Sequence, residues 1–218
     1  MLPTFQDQSL LTNALTHRSA LNENISTAPE SNERLEYLGD AVLELATTQF
    51  LFHKYPSHPE GDLTAFRSAL VRTTTLAEVA TQLGLGEMLY MSKGEEAGGG
   101  RKNVGLLANT FEAVTGALYL DQGFEVVDQF LQENLFYKMD EIYDKKLYKD
   151  AKSLLQETVQ AQGKTTPEYQ VVKEEGPDHD KVFTVEVLVE GEIVASGSGK
   201  SKQLAQQAAA RQALTLFE

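Results

Sequence analysis

The stretch "SNERLEYLGDAVLEL", residues 31–45, has the apolar spacing of an α-helix and an acidic stripe along one side. Glu33, Glu36 and Asp40 stand at positions i, i+3 and i+7, within about 60° of one another around a helix. Apolar residues cover other directions, so the stripe borders a packed interface. Burying like charges together is unfavourable by several kcal/mol per group, and a divalent cation would offset that repulsion.

Glycines inside two helical stretches predict that the helices cross closely. Gly39 lies in the first stretch, and Gly116 lies in "LLANTFEAVTGALYLD", residues 106–121. A mid-helix glycine is about 1 kcal/mol less favourable than alanine, so it makes sense where another backbone approaches. In the second stretch, Asn109 and Glu112 share one face because they are three residues apart. A crossing at the glycines would gather four oxygen-bearing side chains: Glu36, Asp40, Asn109 and Glu112.

These four side chains form a hard-ligand set, which suits Mg²⁺ or Mn²⁺. The chain has no cysteine, so thiolate ligands and disulfides are excluded. A metal held in this way lowers the pKa of a bound water and neutralises a phosphoryl oxygen, which is the chemistry of phosphodiester hydrolysis. The alternative is a solvated acidic face on a helical scaffold. That alternative leaves both helix glycines unexplained.

The apolar periodicity predicts two domains of different class. Residues 1–147 read as an all-α domain, with helical segments at 9–17, 31–55, 61–84, 105–123 and 124–136. Residues 148–218 have the order α-β-β-β-α, because alternating apolar and polar residues lie between a short helix and an alanine-rich closing helix. We therefore predict a small α+β domain there, with both helices on one face of an antiparallel sheet.

Charge and composition restrict the partners. The 218 residues carry a net charge of −13; residues 1–147 hold 11 Lys and Arg against 21 Asp and Glu, and residues 148–218 hold 8 against 11. Phosphate contacts need Lys and Arg, so a nucleic-acid site must be a local patch or use divalent cations. The sequence has no apolar run of about 18 residues and no basic, apolar leader at its start. We expect a cytoplasmic protein with no membrane span.

Several motifs together resemble one family. "NERLEYLGDAVL" closely resembles the signature of ribonuclease III, an endonuclease for double-stranded RNA. The match continues in order through "LTHRSA", "EGDLTAFRSALV", "LGLGEMLYMSKGEE", "GGGRKN" and "LLANTFEAVTGALYLDQGF". The tail "GSGKSKQLAQQAAARQAL" is similar to the end of a double-stranded-RNA-binding domain. The resemblance implies a homodimer with one catalytic valley. It also implies 5′-phosphate products with two-nucleotide 3′ overhangs, and roles in ribosomal precursor processing and messenger turnover.

The resemblance also assigns roles to residues of the first domain. Glu36, Asn109 and Glu112 would hold Mg²⁺, while Asp40 and Glu112 would be most needed for chemistry by positioning metal and attacking water. Glu33 and Glu60 match supporting acidic positions, and Tyr37 matches an aromatic that inserts into the partner subunit. The alternatives are core packing for Tyr37 and a helix N-terminal acid for Glu60. We expect no organic cofactor.

In the second domain the resemblance implies three RNA contacts. Gln156 and Glu157 would meet one minor groove, His179 the next, and Lys200 and Lys202 the phosphates between them. The alternative for His179 is an ordinary polar turn residue. The family usually has a further basic residue after Lys202, where this chain has Gln203. We therefore expect weaker phosphate anchoring and a shallower salt dependence.

Asn109 leaves two functions open. The family commonly has Asp at this position, whereas an amide offers an oxygen to the metal without negative charge. Asn109 is compatible with a working site that binds metal more weakly, and also with a protein that binds double-stranded RNA with weakened or lost cleavage. Because Glu36, Asp40 and Glu112 are all present, the sequence favours cleavage.

Overall fold

Ten α-helices form the first part of the chain in the computed structural model, which describes residues 2–23, 25–177 and 181–217. They are α1 (Gln8–Ala14), α2 (Arg18–Leu21), α3 (Glu33–Lys54), α4 (Glu60–Leu70), α5 (Thr73–Gln82), α6 (Leu85–Met88), α7 (Lys93–Ala97), α8 (Val104–Gln122), α9 (Phe124–Leu131) and α10 (Lys138–Asp144). A 3₁₀ turn, Gly100–Lys102, precedes α8, and a π-helical turn, Gln132–Phe136, follows α9. The chain divides into two units, Met1–Tyr148 and Lys149–Glu218.

Helix α8 is the centre of the first unit. Ten of its residues are buried, from Leu107 to Leu118, because apolar side chains surround most of its circumference. Helices α3, α5 and α1 pack against it. Large aromatic side chains complete the core, among them Phe66, Phe111 and Phe130. The helix that carries Asn109 and Glu112 is therefore fixed on several sides.

The single helix predicted over residues 61–84 is wrong, because α4 ends at Leu70 and α5 begins at Thr73. Arg72 is extended, with φ −64° and ψ 148°. The hydroxyl of Thr75 donates to the carbonyl of Ala69 at 3.1 Å, across the break. β-Branched residues such as those at 71 and 73–75 are weak helix formers, and a threonine hydroxyl can satisfy a carbonyl that the helix leaves free.

The second unit has the predicted order of elements. Helix α11 (Ala151–Ala161) is followed by strands β1 (Glu168–Glu175), β2 (Val182–Val189) and β3 (Glu192–Gly199), and then by α12 (Lys202–Leu214). The sheet is antiparallel in the order β1-β2-β3. Its inner face and the two helices share one apolar core, which includes Leu155, Val159, Val187 and Ala209. The predicted fold class, an all-α domain followed by a small α+β domain, is confirmed.

The glycines at the end of β3 permit a close approach of α12. A Cβ on Gly197 would lie 2.1 Å from the backbone nitrogen of Ala209, and one on Gly199 would lie 2.7 Å from that of Ala205. The alanine-rich helix therefore rests almost directly on the strand. Within the described residues, no helix is long and apolar enough to cross a membrane.

Candidate active site and nucleic-acid interface

An acidic cleft lies where α3 faces α8. Six residues line it: Glu33, Glu36, Tyr37, Asp40, Asn109 and Glu112. The i, i+3, i+7 spacing places the α3 carboxylates on this side of the helix, and the i, i+3 spacing does the same for the α8 pair. All four side chains that were predicted to gather at the crossing line this one cleft.

The crossing of the two helices is as close as their backbones allow. A Cβ on Gly39 would lie 1.8 Å from the carbonyl oxygen of Glu112, and a Cβ on Gly116 would lie 2.3 Å from that of Leu35. No side chain fits at either position, so both glycines are required by contact. The predicted close crossing at Gly39 and Gly116 is therefore confirmed.

The acidic cleft disfavours the ionised form of its own carboxyl groups. Burial, together with the negative charges of Asp40 and Glu36, raises the pKa of the Glu112 carboxyl to about 7. The pKa of Glu36 is also raised, first by burial and then by Glu33, while a hydrogen bond with Asn109 lowers it. A cation in this cleft would relieve the repulsion that these shifts record.

The side chains that line the cleft fit a hard cation by their chemistry, since carboxylate and amide oxygens are the ligands that Mg²⁺ prefers. The three carboxylates are not drawn together into a cage: among residues 2–23, 25–177 and 181–217, no three His, Asp or Glu side chains are grouped closely enough to hold a metal. The donor set is present on both helices, and its final geometry depends on what binds.

A second cavity adjoins the acidic cleft. Glu33, Glu36 and Asn109 line both, and His17 and Arg18 line only the second. The Arg18 guanidinium lies 3.7 Å from the Glu33 carboxylate, with both side chains more than half exposed. Sequence reasoning gave no role to His17 or Arg18. The signal that could have identified them is the motif "LTHRSA", which was used only for the resemblance.

Two predicted residues lie outside the acidic donor set. Tyr37 is 83% exposed at the cleft, so core packing within its own chain is excluded. Glu60 does not line the acidic cleft; it is the first residue of α4 and borders another cavity with Phe52 and Arg67. Its carboxylate accepts a hydrogen bond from Thr64 at 2.9 Å. Within one chain, the structure does not bring Glu60 to Glu112.

Two of the predicted RNA-contacting residues of the second unit form ion pairs within that unit. Glu157 on α11 pairs with Lys149 at 2.5 Å, and Lys202 at the start of α12 pairs with Glu174 at 2.9 Å. Gln156 borders a polar pocket on this unit. Lys200 lies two residues before α12. His179 lies outside the described residues.

Family models match both units. Residues 7–139 match a model described as "Ribonuclease-III-like", and residues 151–216 match a "Double-stranded RNA binding motif". Together they span most of the chain.

Individual relatives match over nearly the full length. The chain is 49% identical over 214 residues to a protein of Bacillus licheniformis named "Ribonuclease 3", which covers 98% of this chain and 86% of that protein. It is 47% identical over 217 residues to a protein of the same name from Syntrophobacter fumaroxidans, covering 98% and 90%. Among solved structures, the nuclease domain of ribonuclease III from Campylobacter jejuni matches 60% of this chain and 87% of that chain. The two chains are 41% identical, and their superposition has a TM-score of 0.55. The Campylobacter jejuni structure is described as showing structural flexibility in a region involved in dimer formation.

Proposed function

The chain belongs to the ribonuclease III family, and we propose that it uses Mg²⁺ to cut double-stranded RNA into 5′-phosphate products with short 3′ overhangs. It is an endoribonuclease with a double-stranded-RNA-binding domain. The observation that carries the finer proposal is the acidic cleft, in which carboxylates from two helices surround one amide. We place the boundary between nuclease domain and RNA-binding domain at residues 147 and 148.

We assign the metal to Glu36, Asp40, Asn109 and Glu112, with Mn²⁺ as a substitute for Mg²⁺. When bound, the metal supplies charge neutralisation at a phosphoryl oxygen and lowers the pKa of a bound water. The backbone contact at the glycine crossing fixes the spacing between the α3 and α8 donors. Asp40 and Glu112 hold the attacking water by accepting hydrogen bonds from it. Glu33 adds a further carboxylate at the rim of the cleft.

A homodimer is supported by apolar side chains that α3 leaves in solvent. Tyr37 is 83% exposed, Leu45 58% and Phe52 64%. Exposed aromatic and aliphatic side chains in one region mark a protein interface. We propose that a second copy of the chain covers them and that Tyr37 inserts into the partner. Glu60 then belongs to the valley that the dimer forms.

Two regions of the second unit support RNA contact in our proposal. Gln156 and Glu157 lie on one helix, and Lys200 and Lys202 flank the start of another. We assign the first pair to a minor groove and the lysines to phosphates, with His179 in the second minor groove. Ribosomal precursor processing and messenger turnover in the cytoplasm are the roles we propose.

The direct test is cleavage of a radiolabelled RNA duplex across a Mg²⁺ titration. We expect cleavage by the parent chain and none by Glu112→Gln, which keeps the size of the side chain and removes its charge. Binding of the same duplex is measured for both proteins, because the variant should retain it.

Asn109 motivates the second candidate, a protein that binds double-stranded RNA with weakened or lost cleavage. The parent chain would then bind the duplex and leave it intact at every Mg²⁺ and Mn²⁺ concentration. That result would reject the nuclease proposal and retain the RNA-binding one.

A further inference from the structure

A polar pocket lies on the second unit, among the first turns of α11, the opening of α12 and the start of β1. Eight residues line it: Asp150, Lys152, Ser153, Gln156, Pro167, Tyr169, Gln203 and Gln207. The two helices are joined beside it, because the backbone nitrogen of Ala151 donates to Gln207 at 3.0 Å. The pocket shares Gln156 with the surface that we assign to RNA.

The ammonium of Lys152 is held here by neutral groups. Its Nζ donates to Oε1 of Gln206 on α12 at 2.7 Å and lies 4.7 Å from the centre of the Tyr169 ring. An amide oxygen and an aromatic ring orient a cation without cancelling its charge. Within the described part of the chain, Lys152 has no carboxylate partner at ion-pair distance.

Two other lysines of this unit are paired with carboxylates. Lys202 lies 2.9 Å from Glu174, and Lys149 lies 2.5 Å from Glu157. Each must exchange a carboxylate for a phosphate before it can contact RNA. Lys152 has no such exchange to make.

The carboxylate in the pocket is engaged elsewhere. Asp150 caps α11 by accepting from the backbone nitrogens of Lys152 at 3.0 Å and Ser153 at 3.1 Å, and it also accepts from the amide of Gln207. Its oxygens are therefore committed to the helix end and to α12. Lys152 provides the cationic head group that faces the pocket.

The first turns of α12 carry little charge on the side that lines the pocket. Lys202 is followed by three glutamines, at 203, 206 and 207, whose amides can donate to a phosphate but carry no charge. Gln203 and Gln207 line the same pocket as Lys152. The pocket thus combines uncharged donors from α12 with a cation from α11.

We propose that Lys152 is a phosphate-contacting residue for double-stranded RNA, and that it supplies from α11 the charge that the glutamines of α12 lack. This inference rests on the proposed binding of double-stranded RNA. Because Lys152 is already oriented by Gln206 and Tyr169, little side-chain freedom is lost when a phosphate binds.

The test uses the full-length chain carrying Glu112→Gln, so that the duplex is not cut. A fluorescein-labelled RNA duplex of about 20 base pairs exceeds the ~16 base pairs that such a domain spans. Affinity is measured by fluorescence anisotropy at several KCl concentrations. Lys152→Gln should weaken binding roughly three- to tenfold and reduce the slope of log K against log salt by about 1.

Two further variants serve as controls. Lys164→Gln removes a matched lysine, whose ammonium also lies over a ring, 4.5 Å from the centre of Phe217, but which does not line the pocket; its affinity and slope should equal the parent's. Lys152→Arg keeps the charge and should retain most of the affinity. A thermal unfolding midpoint of Lys152→Gln equal to the parent's excludes a folding defect as the cause of its loss of affinity.

The inference and the proposed function fail in different ways. If Lys152→Gln binds with the affinity and salt slope of the parent, or loses no more than Lys164→Gln, Lys152 is not a phosphate contact and the proposed function still stands. If the parent itself does not bind the duplex, the proposed function fails first.

Discussion

Asn109 makes the acidic cleft less negative than a carboxylate at the same position would. Its side chain also forms the hydrogen bond that lowers the pKa of Glu36, in opposition to burial and to Glu33. An aspartate there would replace that hydrogen bond with a fifth carboxylate in the cleft. The Asn109 amide therefore reduces the repulsion within the metal-free cleft, and it also weakens the attraction between the cleft and a cation.

We expect Asn109→Asp to lower the Mg²⁺ concentration that gives half-maximal cleavage by on the order of tenfold. A unit charge about 4 Å from another contributes about 1 kcal/mol even in water, and a dication doubles that attraction. The measurement is the initial cleavage rate of an RNA duplex across a Mg²⁺ titration. An unchanged or higher midpoint would show that the side chain at 109 does not face the metal.

The raised pKa of Glu112 predicts a pH-dependent stability in EDTA. Because the folded state holds this proton up to a pH of about 7, the Glu112 contribution destabilises the fold as pH rises from about 4.5 to about 7. Glu112→Gln should therefore raise the free energy of unfolding at pH 8 by about 1–2 kcal/mol, a figure reduced for the partial exposure of the group. At pH 4 the two proteins should be equally stable.

Urea unfolding followed by circular dichroism at both pH values gives this comparison. A stability difference that is the same at pH 4 and pH 8 would assign the effect to packing and not to charge.

Sequence patterns identified the residues that share one helix face but not those that meet through loops. The spacing of Glu36 and Asp40 was sufficient, because helix geometry is local. Arg18 reaches Glu33 from another helix, and no local pattern records that approach. Asn32 precedes the first turn of α3, but its side chain does not cap the helix; its amide donates to the carbonyl of Ala14, another contact between elements, at 3.2 Å.

At the scale of elements, the crossing of α3 and α8 is the contact on which the cleft depends. Gly39→Ala would place a methyl group 1.8 Å from the carbonyl oxygen of Glu112. Backbone cannot rotate away as a side chain can, so the helices must separate. We expect a loss of about 3 kcal/mol or more in the free energy of unfolding, together with loss of cleavage.

Gly61→Ala is the matched control for this change. Gly61 also lies in a helix, but a Cβ there would meet nothing within 4 Å. Stability should stay the same or rise by up to about 1 kcal/mol, since alanine is the better helix former. Equal effects of the two substitutions, measured by thermal unfolding, would contradict the role assigned to the crossing.

The same elements show where periodicity fails. It predicted α3 and α8 within about two residues because both are long and carry continuous apolar faces. It joined α4 to α5 because the apolar spacing continues across Arg72. The hydrogen bond from the Thr75 hydroxyl to the Ala69 carbonyl spans the break between α4 and α5, and a count of apolar residues does not include it.

At the scale of the whole molecule, we expect the 24.1 kDa chain to sediment as a dimer at micromolar concentration. Phe52→Glu should convert it to a monomer, because this 64% exposed ring would be replaced by a charge in the proposed interface. Its fold should be unaffected, and cleavage should fall as the dimer is lost.

Leu216→Glu is the control, since Leu216 is 65% exposed but lies in the other unit. Sedimentation velocity distinguishes the outcomes. A parent chain that sediments as a monomer would refute the shared valley, and a Phe52→Glu variant that remains dimeric would place the interface elsewhere.

Net charge was a poor guide to function at this scale. A total of −13 argues against a nucleic-acid partner, yet the second unit matches a double-stranded-RNA-binding motif. A few oriented groups decide such binding, and composition averages them with the acidic remainder. Composition could not identify Lys152, because its proposed phosphate contact depends on the neutral neighbours Gln206 and Tyr169, which only the folded chain brings together.

The glycine crossing also has a consequence during protein synthesis. Helices α4 to α7 lie between α3 and α8 in the chain, so the contact of Gly39 with Glu112 is non-local and forms late. While the ribosome is still making α8, the carboxylates of α3 have no partners from the second helix. The acidic cleft is therefore completed only after most of the first unit has left the exit tunnel.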